Sequence, residues 1–498
     1  MEIIPAVGNA EGLGTELLVL GIFCDGPLTG SARAVNDRCA GKLSAMLRQI
    51  DLGETVGAVC MIGPLPGVAA KHLLLVGLGQ AETYSEPAYR RALAAVAQAL
   101  DDSPAAEVVV TLAENEIPRR SLGWRMQQAG RFLADSRCGF GFSDGAVRQE
   151  KRSIMLLVPQ ALTSELVRAL QQGVAIGEGV SFAKSLVELP PDLCTPAFIE
   201  RTVEQMASQF GFRVQVLGPR DFEEHGLAAF LASERAATGS CKLMALRSDR
   251  RMAAGRPIVL IGNGMAAREA PSGQTLRMDR APLHDICGIA SVLGVMRTVE
   301  RLALALNVVC LIVATQDGAA GGPRWHSAMS EGSWRRRALE ASLLADVLGY
   351  AARFSPSCVI DVAALTRACV VALGGHASCL FANDEALASE LVTCGGTSGD
   401  RVWQLPLWDD DPLPSASDAA ARAEGPPAAT EIASDLARFA SAYPWAHLEI
   451  AGTASAAGQM RNATGRPVPL LAEFLIGRAQ KAPGQAAFPH RSKKELHS

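Results

Sequence analysis

The 498-residue sequence predicts an α/β protein built in two parts, and three observations predict it. Short runs rich in Val, Leu and Ile alternate with longer stretches of helical period almost throughout. Several of those runs are continuously apolar rather than apolar at every second residue. That is the pattern of strands in parallel or mixed sheets covered by helices on both faces. Finally, a rigid Leu189-Pro190-Pro191 break follows a long helical stretch and divides the chain.

Taken in order, strands are expected at 17–24, 73–79, 108–112, 154–158, 212–217, 242–246, 257–262, 306–314, 358–363 and 447–452. Helices are expected at 89–100, 165–187, 196–210 and 286–302. The third helix is the best punctuated. Thr195 suits its N-cap, Pro196 its first helical position, and Gly211 follows its last apolar turn. Gly77-Leu78-Gly79 reads as a turn, because the third glycine and the spaced acidic residue of a dinucleotide loop are not evident. The expected division is an N-terminal α/β domain at 1–160, a connecting helix at 161–190, a larger domain at 191–480 and a flexible tail at 481–498. Residues 409–429, rich in Pro, Ala, Ser and Asp, read as a loop.

Composition bounds the function classes. Apolar residues make up 49% and charged residues 20%, the balance of an ordinary globular protein. A net charge of −4 creates no global field toward nucleic acid or anionic membrane. The start, Met1-Glu2-Ile3-Ile4-Pro5, lacks the basic region of a secretory signal, and the apolar stretch 306–314 is too short to span a bilayer. Twelve cysteines form no C-x-x-C pair and are expected as reduced, mostly buried thiols of a cytoplasmic protein.

From about Gly173 onward the chain resembles the leucyl aminopeptidase (cytosol aminopeptidase) family. The matching phrases are LPPDLCTP at 189–196, VIDVAALT at 359–366, ACVVALG at 368–374, SGDRVWQLPLW at 398–408, PWAHLEIAGT at 444–453, ATG at 463–465 and LLAEFL at 470–475. Before residue 160 the likeness rests on strand phrases such as LLLVGLG at 73–79. The resemblance implies a smaller macro-like N-terminal domain and a larger zinc-exopeptidase-like C-terminal domain, whose mixed sheet is covered by helices. It also implies a hexamer built as a dimer of trimers. The family's activity is hydrolysis of the N-terminal residue from peptides, with two divalent ions, zinc or manganese, activating a water and polarising the scissile carbonyl.

The residues that would hold those ions are mostly replaced. The family's first ligand phrase aligns with GNGMAAREAP at 262–271. Asn263 stands at the metal-binding lysine, Arg268 at the first aspartate, and Ala270 and Pro271 at two glycines. No lysine occurs near Gln274 or Thr275, where the assisting lysine belongs. Asp285, before ICGIASVLG at 286–294, is the one retained ligand position. The second phrase, counted back from LAD at 344–346, falls on RRRALEA at 335–341. Arg337 then takes the aspartate position, Leu339 the glutamate and Ala341 the arginine; a one-residue slip would bring in Glu340 but no aspartate. Arg367 stands where the family has a glycine beside the substrate. A guanidinium offers no lone pair and stays charged. It would repel a dication by several kcal/mol at an effective dielectric of about 20.

No catalytic residue is therefore assigned. The expected protein is a non-catalytic or impaired family member, a structural or regulatory oligomeric subunit with no resident metal, alone or beside an active paralogue. Asp285 also suits the N-cap of the helix expected from Ile286. Arg268 and Arg337, with Arg335 and Arg336, are candidate anion binders. One alternative is an aminopeptidase with a rearranged metal site drawing on Asp285, His284, His326, Glu269 and Glu340. Another is a hexameric DNA-binding protein using Arg119, Arg120, Arg125, Arg131 and the 491–494 tail, although nucleic acid is not the expected partner.

Overall fold

A computed structural model describes residues 1–25, 27–50, 52, 54–135, 152–190, 193–236, 241–248, 255–266, 286–316, 331–366, 368–408, 429–455 and 463–481. Two sheets organise it. The first contains β1 (Glu2–Val7), β2 (Leu17–Phe23), β3 (Val59–Ile62), β4 (His72–Gly79), β5 (Glu107–Val110) and β6 (Ser153–Val158), in the order β1-β6-β5-β2-β4-β3. Only β3 runs antiparallel to its neighbour. Helices α1 (Gly30–Arg38), α2 (Lys42–Leu47), α3 (Glu86–Asp101) and α4 (Leu122–Ala134) belong to this part.

The second sheet contains β7 (Arg213–Leu217), β8 (Cys241–Arg247), β9 (Ile258–Ala266), β10 (Val308–Gln316), β11 (Cys358–Ala363), β12 (Ser378–Ala382), β13 (Val402–Gln404) and β14 (Trp445–Glu449). Its order is β13-β12-β14-β11-β9-β10-β8-β7. The central strands β14, β11, β9 and β10 are mutually parallel, while β12 and β8 flank them antiparallel. The sheet is thus mixed, as expected. Its helices are α6 (Pro196–Phe210), α7 (Pro219–His225), α8 (Ala228–Ala236), α9 (Cys287–Arg301), α10 (Glu331–Ala351), α11 (Ala368–Leu373), α12 (Glu385–Ser398), α13 (Ala429–Phe439) and α14 (Val468–Lys481).

Between the sheets runs α5 (Ser164–Val187), which packs against both α4 and α9. Glycines permit the close approach. A Cβ on Gly173 would lie 2.0 Å from the Gln127 carbonyl oxygen, and one on Gly179 would lie 2.5 Å from that of Gly294. The long helix is therefore wedged between the two parts rather than tethering them loosely.

Each face of the large sheet has its own apolar core. Leu260, Ile312, Val362 and Leu448 pack on one side with α9 and α14. Ile261, Val313, Ala363 and Trp445 pack on the other with α10. Successive strand residues point to opposite faces, so one continuous apolar run serves both cores.

Local punctuation follows the sequence where side chains cap. Thr195 accepts the Phe198 N–H at 3.2 Å, and Gly211 closes α6 in the left-handed conformation. The helix expected from Ile286 begins at Cys287 with Ile286 at the cap position, and Asp285 lies outside the described residues. Two expectations need correction. Gly77 and Gly79 lie inside β4 rather than in a turn, with Gly79 paired to Phe23. And the thiols are not all free: Cys369 and Cys379 form a disulfide. The expected tail beyond Lys481, the 409–428 stretch and Cys138 lie outside the described residues.

Candidate functional site

Four parallel strands present their carboxyl ends along one edge, the edge at which open α/β sheets place ligands. Val362 of β11 is level with Gly262 of β9 and Leu448 of β14. One residue further along, Asn263 and Glu449 occupy the face that carries Ala363 and the α10 core. Two residues before Glu449, His447 is level with Asp361.

Polar groups on this face fall into two sets. On β11 and β14 they answer one another. Asp361, fully buried, accepts from Trp445 Nε1 at 2.6 Å and contacts His447 Nδ1 at 2.5 Å. Glu449 accepts the N–H groups of Leu365 and Thr366, each at 2.8 Å, and that of Ala451 at 2.9 Å. Burial pushes its carboxyl up to about 7, against the opposing pull of His447 and those three N–H donors. Burial by itself would lower the His447 imidazole, but Asp361, with a smaller share from Glu449, outweighs it and raises the group above its ordinary value. The carboxylate of Glu449 thus fixes the loop that leaves β11.

On β9 and β10 the buried polar atoms are left over. Among the described residues neither Asn263 Oδ1 (Asn263 4% exposed) nor Thr315 Oγ1 (Thr315 2% exposed) has a hydrogen-bond partner. Both lie on the face covered by α10, where Glu340 is buried as well. Asp346, further along α10, instead holds the start of α8, accepting from Ala229 N–H at 2.7 Å and Phe230 N–H at 3.4 Å.

Of the residues singled out from the sequence, the structure places Asn263 on β9 and Glu340 buried on α10. Arg335, Arg336, Arg337 and Leu339 also fall on α10, with side chains outside the described residues. Asp285, Arg268, Glu269, His284, His326 and Arg367 lie outside the described residues, so their convergence is not seen. Among the described residues no group of three or more His, Cys, Asp or Glu is placed to hold a metal ion.

Three of the arginines grouped as a nucleic-acid face are engaged within the protein. Arg120 donates to Glu86 at 2.6 Å, buried Arg125 to the Ala113 carbonyl at 2.8 Å, and Arg131 to the Ser398 carbonyl at 2.7 Å. With Arg90 and Trp124 Nε1, both donating to the Thr397 carbonyl, Arg131 closes the C-terminus of α12 against the first sheet's helices. Cations at a helix C-terminus complement its dipole. Arg131 thus joins the two parts, while Arg120 and Arg125 are paired within the first; Arg119 is exposed, and the 491–494 tail lies outside the described residues.

Sequence reasoning missed the Asp361–His447–Trp445 cluster, Glu449 and Thr315. A signal existed: Asp361 and His447 interrupt otherwise apolar strand phrases, and a polar residue inside a buried run needs a partner.

Comparison with known proteins accounts for this architecture. The family profile described as "Cytosol aminopeptidase family, catalytic domain" matches residues 181–322 and 341–472, and the corresponding N-terminal-domain profile matches residues 19–138. A "Probable cytosol aminopeptidase" of Azoarcus sp. strain BH72 is 41% identical over 498 residues, covering 96% of this chain and 99% of that one. Another, from Aromatoleum aromaticum, is 39% identical, covering 97% and 100%. In fold, the chain is similar to a mutant tomato leucine aminopeptidase, with TM-score 0.75, 20% identity and 96% of each chain covered. It is also similar to the bottromycin maturation enzyme BotP in complex with Mn, with TM-score 0.69, 23% identity, 93% of this chain and 100% of that one covered. The chain belongs to the cytosol aminopeptidase family.

Proposed function

We propose that this member is a non-catalytic subunit, retaining the family fold without the family's pair of metal ions. The observation that carries the proposal is Asn263. At the position of the family's metal-binding lysine, β9 presents an amide whose Oδ1 is buried and without a partner among the described residues. One neutral oxygen does not replace an amine and carboxylates around two dications. The remaining positions carry arginine at 268 and 337 and leucine at 339, so the donor chemistry does not fit a two-metal cage. Supporting this, the catalytic-domain profile is interrupted over 323–340, the stretch containing Arg337 and Leu339. We also read Arg268 and Arg337 as binders of an anion, and the chain as a cytoplasmic homo-oligomer, a hexamer by resemblance. Among the described residues no helix is long and apolar enough to cross a membrane. Trp403 and Trp408, 63% and 59% exposed, offer apolar contact surface for assembly.

The test is elemental analysis of the purified protein, with release of leucine from a leucyl-anilide measured in manganese and in zinc. The expected result is no stoichiometric metal and no turnover. Two bound ions per chain together with turnover would refute it. A second reading, an aminopeptidase with a rearranged site, is favoured by one observation: Glu340 is buried on α10 beside β9 and β10. Turnover that disappears in Glu340→Gln would support it.

A further inference from the structure

The segment that leaves β11 is fastened twice within a few residues. Glu449 on β14 accepts the N–H groups of Leu365 and Thr366. Thr366 Oγ1 accepts the Ala368 N–H that opens α11. Cys369, in the first turn of α11, is then bonded to Cys379 of β12, with Cα atoms 6.2 Å apart. Cys379 is level with Glu449 across the β12–β14 pair, so both fasteners are anchored at one place on the sheet.

Apart from the sulfur bond, α11 is lightly held. It has six residues, and Cys369 is its one fully buried side chain, in a small cluster with Cys379, Phe381 and Ala433 against which Leu373 packs half-buried. Val371 is 89% exposed. A helix this short, with one buried and few half-buried side chains, opens locally at little cost. That opening gives a small thiol access to a bond that is otherwise covered.

We propose that Cys369 and Cys379 are a reversible redox latch, which pins α11 to the large sheet when oxidised and frees it when reduced, while Glu449 holds Leu365 and Thr366 in both states. The reaction is thiol–disulfide exchange with a low-molecular-weight thiol such as glutathione. The thiolate of a first thiol attacks Cys369 Sγ, the S–S bond breaks, and the Cys379 thiolate leaves and takes a proton. A second thiol attacks the mixed disulfide at the small molecule's sulfur. Cys369 is released as a thiol and one small disulfide forms, so two electrons reduce the protein and two small thiols are oxidised. Oxidation runs the same steps backwards.

The full-length protein would be equilibrated in glutathione buffers from oxidising to reducing, trapped by alkylation and mapped by peptide mass. Hydrogen exchange would be followed in parallel. The pair is expected to convert in one two-electron step, and amides of 368–373 to exchange at least tenfold faster when reduced, with α9 unchanged. Cys369→Ser should show the fast exchange in every buffer. Full alkylation of both cysteines in the most oxidising buffer, failure to reduce without denaturant, or equal exchange in the two forms would overturn the latch.

Discussion

Two pairs of neighbouring strands in the large sheet bury polar groups on the same face, and treat them in opposite ways. On β11 and β14, Asp361, His447, Trp445 and Glu449 answer one another and the adjoining loop. On β9 and β10, Asn263 Oδ1 and Thr315 Oγ1 have no hydrogen-bond partner among the described residues. A buried acceptor without a partner costs about 1–3 kcal/mol. The first set thus belongs to the scaffold and stabilises it, and the second does not.

The largest test of this contrast is Asp361→Ala. It strands Trp445 Nε1 and leaves His447 without its carboxylate, so urea denaturation should show a loss of about 3–5 kcal/mol. A loss under about 1 kcal/mol would mean that the cluster is incidental. Glu449→Gln should cost less, about 1–3 kcal/mol, because an amide supplies one acceptor oxygen where three N–H groups converge. This variant also changes the pH profile. Glu449 is raised from 4.5 to about 7 in the folded chain. The native state therefore holds its proton more tightly, and the stability gained is fully present below pH 4.5 and lost as pH climbs to about 7. His447, also raised, acts in the same direction at higher pH: its contribution is complete below 6.5 and is lost as pH rises through its folded value. Glu449→Gln should flatten the lower part of that decline and, since Glu449 supplies a small share of the His447 shift, move the upper part slightly down in pH; an unchanged slope would assign the titration elsewhere.

The smallest effects lie on β9 and β10. Thr315→Val keeps the shape and removes the orphan hydroxyl, so it should leave stability unchanged or raise it by up to about 1 kcal/mol. Asn263→Leu should be similarly mild, within about 1 kcal/mol in either direction. A marked loss in either variant would show that the atom has a partner in solution, and would erase the contrast with β11 and β14.

The interior strands of both sheets other than β12 were legible because a strand covered on both faces must be apolar along its length. The strands not anticipated are β1, β3, β12 and β13. The last has three residues, with Trp403 63% exposed. β1 sits at a sheet edge and contains Pro5. Short, half-exposed strands such as β1, β3 and β13 carry little apolar signal, and β12, though buried, has only five residues. Arg131 of α4 looked like part of a charged surface in sequence, and closes the end of α12.

The sequence by itself determined the layered α/β architecture, the caps of α6 and the family, since each is written in local patterns of apolar and capping residues. It also determined which residue types stand at the ligand positions. Only the tertiary structure decided which buried polar atoms are answered. Asp361 meets His447 across 86 positions, and Glu449 reaches Leu365 across 84. Partners so distant are chosen by the stacking of β14 on β11, and no local pattern encodes that choice.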